Sequence, residues 1–240
     1  MALSSLERVI PALMNEDETT GKKTLLLHLE RYQYALNYLV PGTVADIACG
    51  VGYGSHLLAA SCPESISRII AVDIDQTSID YARLNYSNPK IEFMVADAET
   101  FQSPVSLQNV VSLETIEHLP NPEKFINNIS TQLVVGGRFI TSVPVTPSMD
   151  ANPYHLHDFT VNTFKQMFLK AGLKEIHSFI QVQPYRIFSL MGRKENRAKD
   201  LRKNIIGFYW QYPSKLLLRI LSVFKDGFTN KYMVAVFEKQ

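Results

Sequence analysis

The sequence predicts an α/β fold, a mostly parallel sheet with helices on both faces, and three observations carry that prediction. Short apolar runs suited to buried strands recur along the chain, amphipathic segments of helical period separate them, and Gly or Pro punctuates the joins. Strands that alternate with helices pair in parallel, because a parallel crossover needs a dozen or more residues and a helix supplies them.

Taken in order, residues 24–39 read as a helix closed by Pro41-Gly42, and residues 44–48 as the first strand. A glycine loop then opens a helix near 53–60. Residues 69–74 form a second strand, 77–85 a helix and 91–95 a third strand. Residues 110–113 give the fourth strand and 123–133 a helix, which Gly136-Gly137 separates from a fifth strand at 138–143. The next helix is 160–171, capped by Gly172, and 174–182 and 232–238 are the last two strands. Between them residues 184–229 have no regular pattern, and so long a connection in a compact domain is functional or carries structure of its own.

At 240 residues the chain suits one α/β domain, divided into an amino-terminal helical cap (1–42), a ligand-binding core (43–183), an insertion or lid (184–229) and a last strand (230–240). Hydrophobic residues make up 46% and charged residues 20%, which excludes a disordered chain. A formal charge of +1 gives no long-range attraction to nucleic acid, so no DNA partner is expected. Cys49 and Cys62 do not make a disulfide framework, the first residues lack a secretory pattern, and Pro213, Lys215 and Arg219 interrupt the longest apolar stretch. A cytoplasmic setting is the expectation.

The segment Asp46-Ile-Ala-Cys-Gly50-Val-Gly52-Tyr-Gly54 lies where the first strand turns into a helix. Glycines there let a ligand approach the backbone more closely than a Cβ allows. The G-x-G-x-G spacing, with Ser55 next, misses the final small residue of the dinucleotide fingerprint, which favours a compact ligand over a pyrophosphate. Asp73 ends the second strand about 20 residues on, where a carboxylate accepts both hydroxyl hydrogens of a ribose, and Asp97 follows the third strand, placed for an adenine amino group. Three acids and a glycine loop at one sheet edge, without a phosphate-binding lysine, describe a cationic or zwitterionic adenosine ligand. S-adenosylmethionine fits.

The ordered series D-I-A-C-G-V-G-Y-G, A-V-D-I-D, V-A-D-A-E and V-V-S-L-E-T-I-E-H-L resembles that of class I S-adenosylmethionine-dependent methyltransferases, over roughly residues 30–182. The resemblance implies that Asp46 and Gly50 to Gly52 contact the methionine end, Asp73 the ribose, and Asp97 with Ala98 the adenine. Ala48, Ile74 and Glu114 complete the implied cofactor set. It also implies a Rossmann-like, seven-stranded sheet whose antiparallel last strand is 232–238.

Glu114, Glu117 and His118 follow the fourth strand as E-T-I-E-H, and His155 lies beyond the fifth in N-P-Y-H-L-H-D-F-T. Converging at one sheet edge, they would make a mixed carboxylate and imidazole site for Mg²⁺ or Mn²⁺. This pattern resembles the metal motif of small-RNA 2′-O-methyltransferases and the related segment of ubiquinone-pathway O-methyltransferases. A metal lowers the pKa of a ligated hydroxyl; without one, His118, His155 or His157 could serve as general base. Many class I enzymes carry E-H here without metal, the glutamate contacting cofactor and the histidine capping a helix. His157 reads as a surface or substrate contact and His28 as a partly buried helix residue.

The first helix, with His28, Arg31, Tyr32 and Tyr34, is expected to close over the site, Tyr34 reading as core. In the insertion, Lys215, Arg219 and Ser222 form a narrow polar stripe on an otherwise apolar helix, which suits burial against its own domain, a lid, a second subunit in a homodimer, or a lipidic substrate. L-E-R-x-x-P, H-x-x-R-Y, A-C-G-V-G-Y-G and N-P-Y-H-L resemble bacterial methyltransferases of glycan and secondary-metabolite pathways, although V-I-P-A-L replaces their phenylalanine-containing run. The expected reaction is methyl transfer to a hydroxyl of a small molecule, a sugar or glycan leading. An RNA 3′-terminal 2′-O-methyltransferase is the alternative suggested by the acid–histidine motif and the basic run 193–203, and a non-catalytic S-adenosylmethionine-binding protein is another.

Overall fold

A computed structural model describes residues 9–13, 19–184 and 201–240. Its single seven-stranded sheet comprises β1 (Gly42–Ile47), β2 (Ile66–Asp73), β3 (Ile91–Val95), β4 (Leu107–Leu113), β5 (Leu133–Pro144), β6 (Leu173–Pro184) and β7 (Thr229–Lys239), in the order β3-β2-β1-β4-β5-β7-β6. β7 alone runs antiparallel, inserted between β5 and β6. The helices are α1 (Thr19–Leu36), α2 (Tyr53–Ser61), α3 (Gln76–Asn85), α4 (Pro122–Gln132), α5 (Val161–Lys170), α6 (Ile205–Gln211) and α7 (Pro213–Asp226). This is the α/β, Rossmann-like sheet with an antiparallel last strand that the motif series implied.

The central strands are apolar on both sides because both faces are covered. Period-two alternation sends Val44 of β1 and Ile69 of β2 toward Tyr32 and Ala35 of α1 and Leu58 of α2. It sends Ala45, Ile47, Ile70 and Val72 the other way, toward Phe125 and Ile129 of α4 and Phe164 and Phe168 of α5. Phe168 stacks on Phe237 of β7 at 4.2 Å between centroids, which locks the antiparallel strand onto α5. Side-chain caps begin α3, α4 and α5: Asp75 accepts from Ser78 N, Asn121 from Lys124 N and Thr160 from Thr163 N, each cap contributing about 1 kcal/mol.

Several boundaries differ from the sequence reading for identifiable reasons. α1 ends at Leu36, not 39, because Asn109 of β4 takes both backbone groups of Val40, at 2.8 Å each, and pulls the chain out of helix. β5 begins directly after α4 and runs through Gly136-Gly137, which were expected to precede it. The insertion is narrower than 184–229, since Pro184 still pairs with Thr229, and its described part folds into α6 and α7, divided at Pro213. The basic run 193–203 lies outside the described residues up to position 200, as do the first residues of L-E-R-x-x-P.

The order of strands reverses between β1 and β4: the chain winds outward from β1 to β3, then returns to β4 and winds the other way. Ligand clefts of such sheets open outside the carboxyl ends of the strands at that reversal. Asp46, the glycine loop, Asp73, Asp97, Glu114 and Glu117 all lie in or just beyond those strand ends.

Candidate active site

The loop between β1 and α2 takes left-handed backbone at Ala48 (φ 62°), Gly50 (φ 56°) and Gly52 (φ 88°). Ala48 bears a Cβ in that region and is strained; Gly52 has no room for one, since a Cβ would lie 2.7 Å from Ala82 Cβ and 3.0 Å from Phe93. At Gly50 a Cβ would meet nothing within 4 Å, so the backbone there borders open space in which a ligand can lie against it. Gly50 N donates to Asp73 Oδ2 at 2.8 Å and Asp75 N to Asp73 Oδ1 at 2.9 Å, which fixes the Asp73 carboxylate beside the loop. Ile74 is 67% exposed beyond it, and across the strand ends Asp97 is exposed with Ala98 buried behind. Two backbone bends, a fixed carboxylate and an apolar flank are the parts a nucleoside needs.

The Asp46 carboxylate, expected at the methionine end, is fully buried beneath the loop and accepts from Ser55 Oγ at 2.6 Å and Tyr32 Oη at 3.1 Å. Burial raises its pKa to about 7 against the lowering effect of those two donors. It shapes the loop from behind.

Of the four expected metal ligands, three converge. Ligand atoms of Glu117, His118 and His155 lie within 4.8 Å of one another, and the two imidazoles meet edge to face at 4.7 Å. Glu114 stands apart from that set. It has positive φ (52°), its Oε1 accepts from Ser142 Oγ at 2.8 Å, and Arg31 Nη1 lies 3.3 Å from the same oxygen.

Glu117 is fully buried, and among the described residues neither carboxylate oxygen has a hydrogen-bond partner. Burial and the neighbouring Glu114 charge push it up to about 8. A buried carboxylate without a partner costs several kcal/mol, and a cation at the three-residue cluster would remove that cost. The donors therefore fit a divalent ion. Burial, then His118, holds the His155 pKa down to about 3, so its ring is neutral at physiological pH, as a metal ligand must be; its Nδ1 is 2.7 Å from Ser148 Oγ. His118 Nδ1 lies 3.2 Å from the Tyr154 carbonyl oxygen. His157 is outside the cluster, its Nε2 bonded to the Leu119 carbonyl, and His28 Nδ1 meets Tyr53 Oη at 2.7 Å. Tyr34 is half-buried against Tyr38, His177 and Phe179.

Beside His155 opens a cleft of about 550 Å³ lined by Leu156, Arg202, Phe208, Gln211 and Tyr212 among others. Sequence reasoning named α1 as a cover but missed the parts played by Arg31 and Tyr32. Arg31 is 1% exposed, donates from Nε to Gln181 Oε1 at 2.7 Å and lies 4.4 Å from the Tyr232 ring centroid. The available signal was a charge on the stripe Arg31, Tyr32, Ala35, which turns inward: a buried guanidinium requires a partner.

Residues 45–141 match the family model described as methyltransferase domain. A Mycobacterium tuberculosis protein named "probable S-adenosylmethionine-dependent methyltransferase" is 28% identical over 174 residues, covering 65% of this chain and 61% of that one. The malonyl-[acyl-carrier protein] O-methyltransferase of Hahella chejuensis is 31% identical over 110 residues, covering 45% and 39%. The chain thus spans about three-fifths of the length of the mycobacterial relatives it matches. Among solved structures, the N-methyltransferase NodS of Bradyrhizobium japonicum in complex with S-adenosyl-l-homocysteine superposes with a TM-score of 0.61 at 15% identity, over 98% of this chain and 96% of that one. The fold is that of the Rossmann-like methyltransferases on which it superposes, and the segment that matches the methyltransferase-domain model holds the glycine loop, Asp73, Asp97 and the Glu114 to His118 run.

Proposed function

We propose that this protein transfers the methyl group of S-adenosylmethionine to a hydroxyl of a small molecule, a sugar or glycan being the leading acceptor, at a site completed by Mg²⁺ or Mn²⁺. The observation that carries the reading is the orphaned Glu117 carboxylate beside His118 and His155, at the same sheet edge as the loop fixed by Asp73. Asp73, Gly50, Ile74 and Asp97 would hold the nucleoside, which supplies an electrophilic methyl. Glu117, His118 and His155 would hold the cation, which lowers the pKa of a ligated hydroxyl.

The chain's own task is alignment and exclusion of water, because the methyl donor is already activated. α1 closes over the loop through Tyr32 and over the Glu114 side through Arg31. The cleft beside His155 is lined by Tyr212 and Gln211 and by Arg202 stacked over the buried Phe208 ring, a mixed aromatic and polar lining that suits a ring with a hydroxylated rim. Transfer breaks a C–S bond, forms a C–O bond and releases the hydroxyl proton. With His118 and His155 both holding the cation, neither imidazole has a free lone pair, so the proton of the ligated hydroxyl leaves to water in the open cleft; only without the cation would His118 be the base.

Labelled S-adenosylmethionine offered with pools of free sugars, glycosides and nucleotide sugars, with and without chelator, tests the reading. Transfer should be lost in chelator and restored by Mg²⁺ or Mn²⁺. Glu117→Gln should abolish the restoration while calorimetry still finds cofactor binding. Turnover unchanged by chelator retires the cation; absence of cofactor uptake retires the whole reading.

A further inference from the structure

The helix before the last strand is turned inside out. On α7, Lys215 and Arg219 face the domain: Lys215 Nζ donates to Asp158 Oδ2 at 2.8 Å, and Arg219 pairs with Asp150, which also accepts from Tyr209 of α6 at 2.5 Å. At 3.6 residues per turn, Leu217, Leu221 and Phe224 stand opposite that stripe. They are 58%, 54% and 86% exposed, and α7 has no buried residue at all. On the preceding helix α6, Ile206 is 83% and Trp210 90% exposed. With large side chains of about 150–250 Å² each, these five expose roughly 700 Å² at those fractions, above the 300–600 Å² of an ordinary largest patch.

Charge selects the occupant. Of the five basic side chains of residues 201–228, Lys215 and Arg219 pair inward with Asp158 and Asp150 and Arg202 bonds the Met149 carbonyl, which leaves Lys203 and Lys225 facing outward; the one acid, Asp226, already pairs with Lys231 at 2.6 Å. Lys203 and Lys225 are exposed beside the apolar side chains. A two-fold dimer would set this patch against itself, basic rim to basic rim, with no acid of the segment left to answer it. An anionic bilayer answers both features: leucines and aromatics enter the boundary between headgroups and acyl chains, and lysine stems reach back to the phosphates.

We infer that α6 and α7 dock the protein on an anionic lipid surface. The attachment is peripheral, because no described helix is long and apolar enough to cross a membrane. On α6, Phe208 and Gln211 turn toward the cleft beside His155, while Ile206 and Trp210 turn to the other side, so the docking face and the cleft lie on opposite sides of the helix. The docking does not rest on the proposed methyl transfer.

Vesicles of phosphatidylcholine alone and of phosphatidylcholine with phosphatidylglycerol, sedimented with the full chain, test the docking. The anionic vesicles should bind at least tenfold more tightly, with less difference in high salt. Trp210 is the sole tryptophan, so its emission should shift to the blue on binding. Leu217→Glu with Phe224→Glu should reduce binding at least tenfold while leaving the thermal melt and calorimetric cofactor uptake unchanged. The inference is overturned if the wild-type chain sediments with neither vesicle, or if the double variant binds as well as wild type. A concentration-dependent dimer that the variant abolishes, without vesicle binding, would overturn it in favour of a second copy. Failure of cofactor uptake in vesicle-free buffer would count against the methyltransferase reading alone.

Discussion

Adding one methyl group at Gly54 probes how α1 meets the donor loop. Gly54 sits in the first turn of α2, where alanine is favoured over glycine by up to about 1 kcal/mol on helix propensity. Against that gain, a Cβ would stand 2.5 Å from Tyr32 Oη and closer still to the ring carbons behind it. Tyr32 has nowhere to turn: its side chain is 6% exposed, its ring packs edge-on to Tyr53 at 6.4 Å, and its hydroxyl donates to the buried Asp46 carboxylate. Overpacking costs about 1–3 kcal/mol, and loss of the hydrogen bond to Asp46, whose carboxyl titrates near 7, about 0.5–3 kcal/mol. The net expectation for Gly54→Ala is a destabilisation of roughly 2–5 kcal/mol in urea unfolding, with weakened cofactor binding by calorimetry. In a Tyr32→Ala background the obstruction is gone, so the same substitution should be neutral or favourable, a coupling of about 2 kcal/mol or more. A Gly54→Ala protein as stable as wild type would refute the packing argument.

Asp73→Ala removes the carboxylate that Gly50 N and Asp75 N hold in place, and should weaken binding of S-adenosylhomocysteine roughly a hundredfold in calorimetry. Asp46, raised to about 7 by burial, is protonated in the folded state but ionised in the unfolded state between its ordinary 3.8 and about 7. Its stabilising contribution is therefore full below pH 4 and lost as pH rises through 7, so Asp46→Asn should flatten that part of a melting-temperature profile relative to wild type. Burial pushes Asp150 up, but hydrogen bonds from Arg219 and Tyr209 outweigh it and hold the carboxyl below its usual range. Asp150→Ala leaves Arg219 unpaired and should lower hydrogen-exchange protection over 205–226 while β1 to β5 remain protected.

The sheet was legible because its inner strands are covered on both faces and so read as largely apolar runs: 44–48, 69–74 and 138–143 fall on strands to within a residue, as does the edge strand at 91–95. What escaped depends on contacts distant in sequence. The end of α1 is decided by Asn109, about 70 residues away, and no local pattern near residue 37 announces it. The 205–226 helices were visible only as an amphipathic stripe, and the stripe's direction was not legible. Lys215 and Arg219 face inward because Asp150 and Asp158 wait on the loop after β5, which reverses the usual rule that the charged side of a helix meets water. In the site, E-T-I-E-H placed four groups at one strand end, but backbone direction separated them. Positive φ at Glu114 turns that residue to Ser142 and Arg31, while Glu117 faces the histidines.

That separation sets the charge balance of the site. Arg31 and Glu114 form one compensated pair, itself buried and braced by Gln181. Glu117, on the next turn of chain, has no side-chain hydrogen-bond partner among the described residues; burial and Glu114's charge oppose its ionisation more than His118 and Arg31 favour it. Replacing Glu117 by an apolar residue would remove a cost of several kcal/mol, so packing alone gives no reason for a carboxylate there. A carboxylate that costs stability where it stands, with a neutral imidazole beside it, is intelligible as half of an interaction whose other half arrives from solution. Arg31 then has a second consequence: drawn to Glu114, it is only a minor influence in favour of ionising Glu117, which stays largely protonated near neutral pH, and a cation binding beside the histidines would have to displace that proton.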